Sequence, residues 1–238
     1  GFLFGLDTAV ISGAEQAIQR LWSLDNFTQG LAVAMALWGT VLGAVLGGIP
    51  SDLLGRRKTL FLIGILFLFS SLGSAVAPDV ITFMIFRFIG GLAIGSSSVT
   101  APLYISEIAP AESRGRLVAL FQFNIVLGIL IAYVANYLLR DVGGENAWRW
   151  MLGWVALPSL LFSAAVLFIP ESPRWLLVKK GDEQGALKVL NQINPLTAQS
   201  QIDDIRAGMR QPGDLVPPAT FFSGKYRTPI LLAFLFAF

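Results

Sequence analysis

Long uncharged runs divide this chain. Between Asp25 and Asp52 lie 26 residues without a charge, between Lys58 and Asp79 20, between Arg116 and Arg140 23, and between Arg149 and Glu171 21. Residues 80–106 carry a single charge, Arg87. A helix that crosses a bilayer needs about 20 mostly apolar residues, each rising about 1.5 Å. Four runs meet that length outright, and a fifth meets it with one arginine inside. Partial runs stand at 1–14, which holds Asp7, and at 228–238. The pattern predicts an all-α membrane protein with six spanning helices at 1–18, 30–52, 59–77, 80–103, 116–139 and 149–169, and a seventh starting at 229. A soluble core would have to bury five such runs in 238 residues, which disfavours it. Because the chain opens and closes inside apolar stretches, it is expected to be part of a longer protein.

Composition agrees. The chain is 55% hydrophobic and 13% charged, against about 45–50% and about 25% for soluble domains. With no Cys and no His, a disulfide framework and a thiolate metal site are excluded, and so are the commonest general base and metal ligand. No metal site and no cofactor are expected. The basic residues are lopsided. Thirteen fall in the loops after the second, fourth and sixth helices, three fall on the other side, and Arg87 lies within a span. Loops facing the cytoplasm carry the excess of Lys and Arg. Those three loops and the N-terminal side are therefore expected in the cytoplasm, with Asp79 and Glu145 opposite.

Residues 171–227 hold 14 charges in 57 positions, too many for a membrane core. Ser172-Pro173 can open a helix and Gly181 can close it. Asp182 can cap a second helix to about Gln192. Thr197 can open a third to about Arg210, before Pro212-Gly213. The domain plan is a six-helix bundle at 1–170, a cytoplasmic helical linker at 171–227, and the start of helix 7 at 228–238. Within the bundle, small residues recur every fourth position: Gly1, Gly5, Ala9 and Gly13; Gly39, Gly43 and Gly47; Gly91 and Gly95. Such stripes let helix backbones approach closely.

Two motifs stand out. Gly48-Ile49-Pro50-Ser51-Asp52-Leu53-Leu54-Gly55-Arg56-Arg57 spans the loop between helices 2 and 3. Gly55 permits a tight reversal, and Asp52 can pair with Arg56 or with a neighbouring helix. This stretch resembles the signature loop of the major facilitator superfamily. Arg87-Phe88-Ile89-Gly90-Gly91, Pro102-Leu103-Tyr104-Ile105-Ser106-Glu107, Arg114-Gly115-Arg116 and Pro170-Glu171-Ser172-Pro173-Arg174-Trp175 follow in order. Together with Phe2–Gly13 they resemble the sugar porter family within that superfamily.

The resemblance implies the N-terminal half of a twelve-helix transporter: two inverted three-helix units, a cytoplasmic linker and the start of helix 7. The C-terminal bundle would then be its partner, and a hexose or pentose its substrate. The resemblance also implies that the family's sugar site on helix 7 begins just past Phe238. In helix 5, Gln122 offers an amide that suits a sugar hydroxyl. From periodicity alone an interhelical bond is the plainer role, and the resemblance turns it to sugar contact. Ile125 shares that face, and the family's match to Phe4 borders the sugar. Asn124 and Asn136 are left as structural. Glu107, Arg114 and Arg116 are implied to pair across to the C-terminal bundle and hold one conformation. Gly48, Asp52, Gly55, Arg56, Arg57, Glu171 and Arg174 complete the signature positions.

Asp7 and Arg87 are the opposite charges deepest in apolar helices. Each is costly to bury alone, so each should face the interior and find a partner. A cationic neighbour favours an ionised carboxylate, and burial favours a neutral one. Asp7 can therefore be a proton switch or half of a static lock. The resemblance favours proton coupling, because the matching pair is associated with coupled members. Val155 is a departure: some coupled bacterial xylose transporters carry an acid there. The leading expectation is sugar/proton symport by alternating access in a bacterial inner membrane. The alternatives are a facilitative uniporter and a transporter-like sugar sensor. No nucleophile–base set or phosphate-cradling loop supports an enzyme. The basic residues report topology and not nucleic-acid binding.

Overall fold

The computed structural model describes residues 1–209, and the regular structure among them is entirely helical. In order, α1 spans Phe2–Leu21, α2 Asn26–Leu46, α3 Gly48–Leu54, α4 Arg56–Val76, α5 Val80–Ile108 and α6 Ala111–Leu139. A 3-10 turn at Gly144–Asn146 leads into α7, Ala147–Gly153, and α8, Ala156–Val166. A single turn, α9 at Pro173–Trp175, runs into a π turn at Leu176–Lys180, followed by α10, Glu183–Ile193, and α11, Ala198–Met209. Arg210, Lys225, Arg227 and the expected start of helix 7 at 228–238 lie outside the described residues.

Two expected single helices are broken, and proline explains both breaks. Pro50 has no N–H to offer the carbonyl four residues back, so α2 stops at Leu46 and α3 restarts with Pro50 in its first turn. Pro158 does the same to Trp154, whose carbonyl accepts instead from the Leu157 amide at 3.0 Å, and α8 begins at Ala156. Pro102, by contrast, sits inside an unbroken α5.

Five segments are long and apolar enough to cross a membrane: Asn26–Leu46, Arg56–Val76, Val80–Ile108, Ser113–Leu139 and Gly144–Val166. The first helix, expected as a sixth span, has 20 residues but falls short of that apolar standard. Glu15, Gln16, Gln19 and Arg20 occupy its second half. It is nevertheless well packed in the bundle, burying Leu3, Leu6, Val10, Ala14 and Ile18. The outer faces carry exposed apolar side chains, among them Leu37, Trp38 and Val41 on α2 and Leu130, Tyr133 and Tyr137 on α6. Water would penalise that surface, and lipid would cover it.

The glycine stripes lie where backbones touch. On α2, a Cβ added at Gly39 would sit 3.0 Å from the Gly91 Cα of α5. On α1, Gly5 lies against the Ile125 carbonyl of α6. One core cluster, from α1, α5, α6 and α7, centres on Trp148, whose ring is 5.6 Å from Trp22 and 6.5 Å from Phe83. A second joins Leu3 with Leu60, Ile63, Phe67, Ile94 and Val166.

Caps fix the helix ends. Arg149 donates to the carbonyls of Ala75 and Ala77 at 2.7 and 3.0 Å, placing a cation at the negative end of α4. Asp25 caps α2 by accepting from the Thr28 amide at 3.3 Å, and Asp79 caps α5 by accepting from the Thr82 amide at 2.9 Å. Both carboxyls are held below the usual range, Asp25 mainly by the Thr28 side chain and Asp79 mainly by the Thr82 amide.

In the polar segment, Ser172 accepts from the Trp175 amide at 3.1 Å, Gly181 takes φ 65° at the stop, and Asp182 accepts from the Gly185 amide at 2.8 Å. These are the caps the sequence predicts. The helices share a small core of Leu177, Ala186, Leu190, Ala198 and Ile202.

Candidate functional site

Asp7 enters the bundle on α1 and Arg87 on α5. Arg87 Nη1 donates to both Asp7 carboxylate oxygens, at 3.2 and 3.1 Å, and Nη2 reaches the Asp7 carbonyl at 3.5 Å. The side chains are 2% and 3% exposed, so each charge depends on the other for its solvation. Gly90 lets α4 pack close beside this pair: a Cβ there would collide with Ser70 Oγ, while Asp7 Oδ2 would lie at an ordinary 3.6 Å. That hydroxyl donates to the Phe86 carbonyl at 2.8 Å. Arg87 Nε has no hydrogen-bond partner. Val155 is fully buried in the α1 cluster and brings no second acid to this region.

A denser cluster forms where α3, α4, α5 and the polar segment meet. Arg56 grips Glu107 with two bonds, Nε to Oε2 at 2.9 Å and Nη2 to Oε1 at 3.0 Å. Its Nη1 donates to the Ser51 carbonyl and to Asp52 Oδ1, both at 3.0 Å. Glu171 Oε1 accepts the amides of Arg56, Arg57 and Ser172 at 2.8, 3.1 and 2.9 Å. This carboxylate therefore satisfies the open N-terminal amides of α4. Gly55 makes the reversal with φ 95°, and any Cβ there would strike Glu171 Oε2. Arg57 donates to the Leu167 carbonyl, Trp175 Nε1 to the Asp52 carbonyl at 2.8 Å, and Tyr104 to the Pro170 carbonyl at 2.8 Å. Gly48 opens α3 beside this cluster.

Several placements bear on the sequence reading. Glu107, expected to reach the other bundle, is bound to Arg56 of its own. Arg114 and Arg116 stand exposed near the start of α6, and Arg174 is exposed on α9. Gln122 is exposed and Ile125 half-buried on α6, while Phe4 on α1 packs against the Leu60 and Phe67 cluster. Asn124 bonds back to Leu120 in its own helix. Asn136, left as structural by the sequence, donates across to the Val10 carbonyl at 3.1 Å. Among the described residues no cluster of acidic, His or Cys side chains could hold a metal ion.

A family model described as "Sugar (and other) transporter" matches residues 1–238. The chain belongs to this sugar transporter family of the major facilitator superfamily. Among curated relatives, a D-xylose transporter of Levilactobacillus brevis is 43% identical over 87% of this chain and 45% of its own length. The arabinose-proton symporter of Bacillus subtilis is 41% identical over 88% of this chain and 46% of its own length. The chain thus spans about half the length of the curated relatives it matches. Among solved structures, the proton:xylose symporter XylE bound to 6-bromo-6-deoxy-D-glucose superposes with a TM-score of 0.86 at 33% identity, covering 94% of this chain and 53% of that one. The fold is an N-terminal helical bundle of that superfamily, in an integral multi-pass membrane protein.

Within the family signature, the Asp52–Arg56 pair was open to sequence reasoning and the Arg56–Glu107 pair was missed. Glu107 and Arg56 are 51 residues apart, and nothing in their local patterns joins them. The role of Glu171 as the cap of α4 was also missed. Its signal was the absence of a capping side chain before Arg56, where Gly55 stands.

Proposed function

We propose that this chain is the N-terminal bundle and linker of a transporter that moves a monosaccharide together with a proton. Residues 1–170 form the bundle, 171–227 the cytoplasmic linker, and 228–238 begin helix 7. The missing partner is a C-terminal bundle of the same protein, against which this one rocks. The observation that carries the reading is the buried Asp7–Arg87 pair. Relatives named as proton symporters support it. Asp7 takes up the proton and becomes neutral, and the charge-assisted hold on Arg87 weakens. The protonated and ionised forms then favour different packings of α1 against α5. A difference of a few kcal/mol between those forms is enough to shift the population.

Gln122 and Ile125 on α6 and Phe4 on α1 are the residues of this half that contact the sugar. Arg56, Arg57, Asp52, Glu107, Glu171 and the glycines at 48 and 55 hold the cytoplasmic end, while Arg114, Arg116 and Arg174 face the partner bundle or water. The basic asymmetry puts that end in the cytoplasm of a bacterial inner membrane. The test is Asp7→Asn in the full-length transporter. Uphill accumulation driven by a pH gradient should vanish while sugar counterflow persists. Accumulation at the wild-type level would refute the role of Asp7, and a wild type that never accumulates would make the protein a uniporter.

A further inference from the structure

A cavity of about 980 Å³ opens between the start of α4, the end of α8 and the polar helices beyond. Its apolar wall includes Phe61, Leu62 and Leu167, and Leu62 and Leu167 are exposed. This apolar wall continues along the two helices through exposed Phe69 and Leu72 on α4 and exposed Leu160 and Leu161 on α8. The lining also carries three cations, Arg57, Lys58 and Lys180, of which both lysines are exposed. Lys180 Nζ stands 5.5 Å from the centre of the Trp175 ring.

Two carboxylates also border the cavity, and both are turned to backbone amides. Glu171 Oε1 accepts three amides, and Asp182 Oδ1 caps α10 through the Gly185 amide. The rim therefore holds three cations against two carboxylates already engaged by N–H donors. Because α4 starts at Arg56 and the spanning segment through α8 ends at Val166, the cavity lies at one edge of the bilayer. An apolar wall that continues into the hydrocarbon region, under a cationic rim at headgroup depth, matches one molecule at both ends.

We propose that this cavity binds one anionic phospholipid from the leaflet on the Arg56 side. The phosphate is held by Lys58, Lys180 and Arg57, and an acyl chain lies along Leu62 and Leu167. The site concerns lipid recognition and requires only that the chain spans a bilayer, so it stands or falls separately from proton coupling.

The test is native mass spectrometry of the full-length transporter in detergent, titrated with phosphatidylglycerol or with phosphatidylcholine of the same acyl chains. The wild type should retain one phosphatidylglycerol in preference to phosphatidylcholine. A basic residue near an anionic lipid surface contributes on the order of fivefold to binding, so the Lys58→Gln/Lys180→Gln double variant should lose roughly tenfold or more in apparent affinity. Lys58→Arg/Lys180→Arg should bind like the wild type. Lys179→Gln/Lys188→Gln removes the same charge outside the cavity and should also bind like the wild type. Equal retention of both lipids would overturn the proposal by showing an apolar groove without headgroup recognition. Equal loss in both glutamine pairs would overturn it as general surface charge. Displacement of the lipid by glycerol phosphate at matching concentration would show that a free phosphate, and not a lipid, is the ligand.

Discussion

The two ionic assemblies of this bundle differ in how many bonds hold them. In the apolar interior, Arg87 and Asp7 have mainly each other, and Arg87 Nε has no partner. At the membrane edge, Arg56 is fixed by Glu107, Asp52 and the Ser51 carbonyl, while Glu171 binds its amide. A single proton on Asp7 would remove most of what holds the first assembly. A single proton on Glu107 would not dissolve the second, because Arg56 keeps Asp52 and the Ser51 carbonyl. Sparse pairing suits a switch and redundant pairing suits a scaffold. Burial alone would have ranked them otherwise, since the interior pair is the more buried.

The largest effect should come from the scaffold. Arg56→Ala leaves Glu107, whose side chain is 4% exposed, without its countercharge. Losing one partner of a buried pair costs about 3–5 kcal/mol. The melting temperature of the full-length transporter in detergent should fall by several degrees. An unchanged melt would mean that the cluster contributes nothing to stability.

Gly55→Ala attacks the same cluster without touching a charge. It forces a Cβ into the left-handed region and against Glu171, and strain of that kind costs about 1–3 kcal/mol. The thermal shift should be smaller than for Arg56→Ala and in the same direction.

Neutralising both partners separates the two assemblies most cleanly. Replacing a buried pair by well-packed apolar residues of similar volume is often harmless. Asp7→Leu/Arg87→Met should therefore stay within about 1 kcal/mol of the wild type in stability. Arg56→Met/Glu107→Leu should remain destabilised, because it also strips Asp52 and the Ser51 carbonyl of their donor. If both double variants behave alike, the distinction between switch and scaffold fails.

The smallest effect concerns the opposite end. The carboxyls of Asp25 and Asp79 are held below their ordinary values by their caps. A depressed folded value means the contribution is present above the unfolded value, about 3.9 for Asp, and is lost as pH falls through the folded one. Amide exchange at Thr28 and Thr82 should quicken relative to neighbouring amides only below about pH 4. The Arg56 cluster should show no matching change from these two groups.

Much of the fold was legible because a bilayer demands long uncharged runs, and charge is easy to count. Five spanning segments, the polar segment and its caps at Ser172, Asp182 and Gly181 followed from that. The breaks before Pro50 and Pro158 were written in the prolines but masked by unbroken hydrophobicity. The Asp7–Arg87 contact was legible because few alternatives existed for two charges in apolar helices. The partner of Glu107 was not, because several cations lay in reach and the choice among them is made by the crossing of α4 and α5. Gln122 shows another limit: its amide marks a helix face, but its own local pattern does not say what that face meets.

The central claim is that Asp7 carries the proton that moves with the sugar. The most direct measurement is sugar-induced proton movement in vesicles containing the full-length transporter, read as a pH change in a weakly buffered medium. The wild type should alkalinise the medium when sugar is added on the entry side, and Asp7→Asn should give no pH change while sugar still exchanges. A wild-type-sized proton signal in Asp7→Asn would contradict the account.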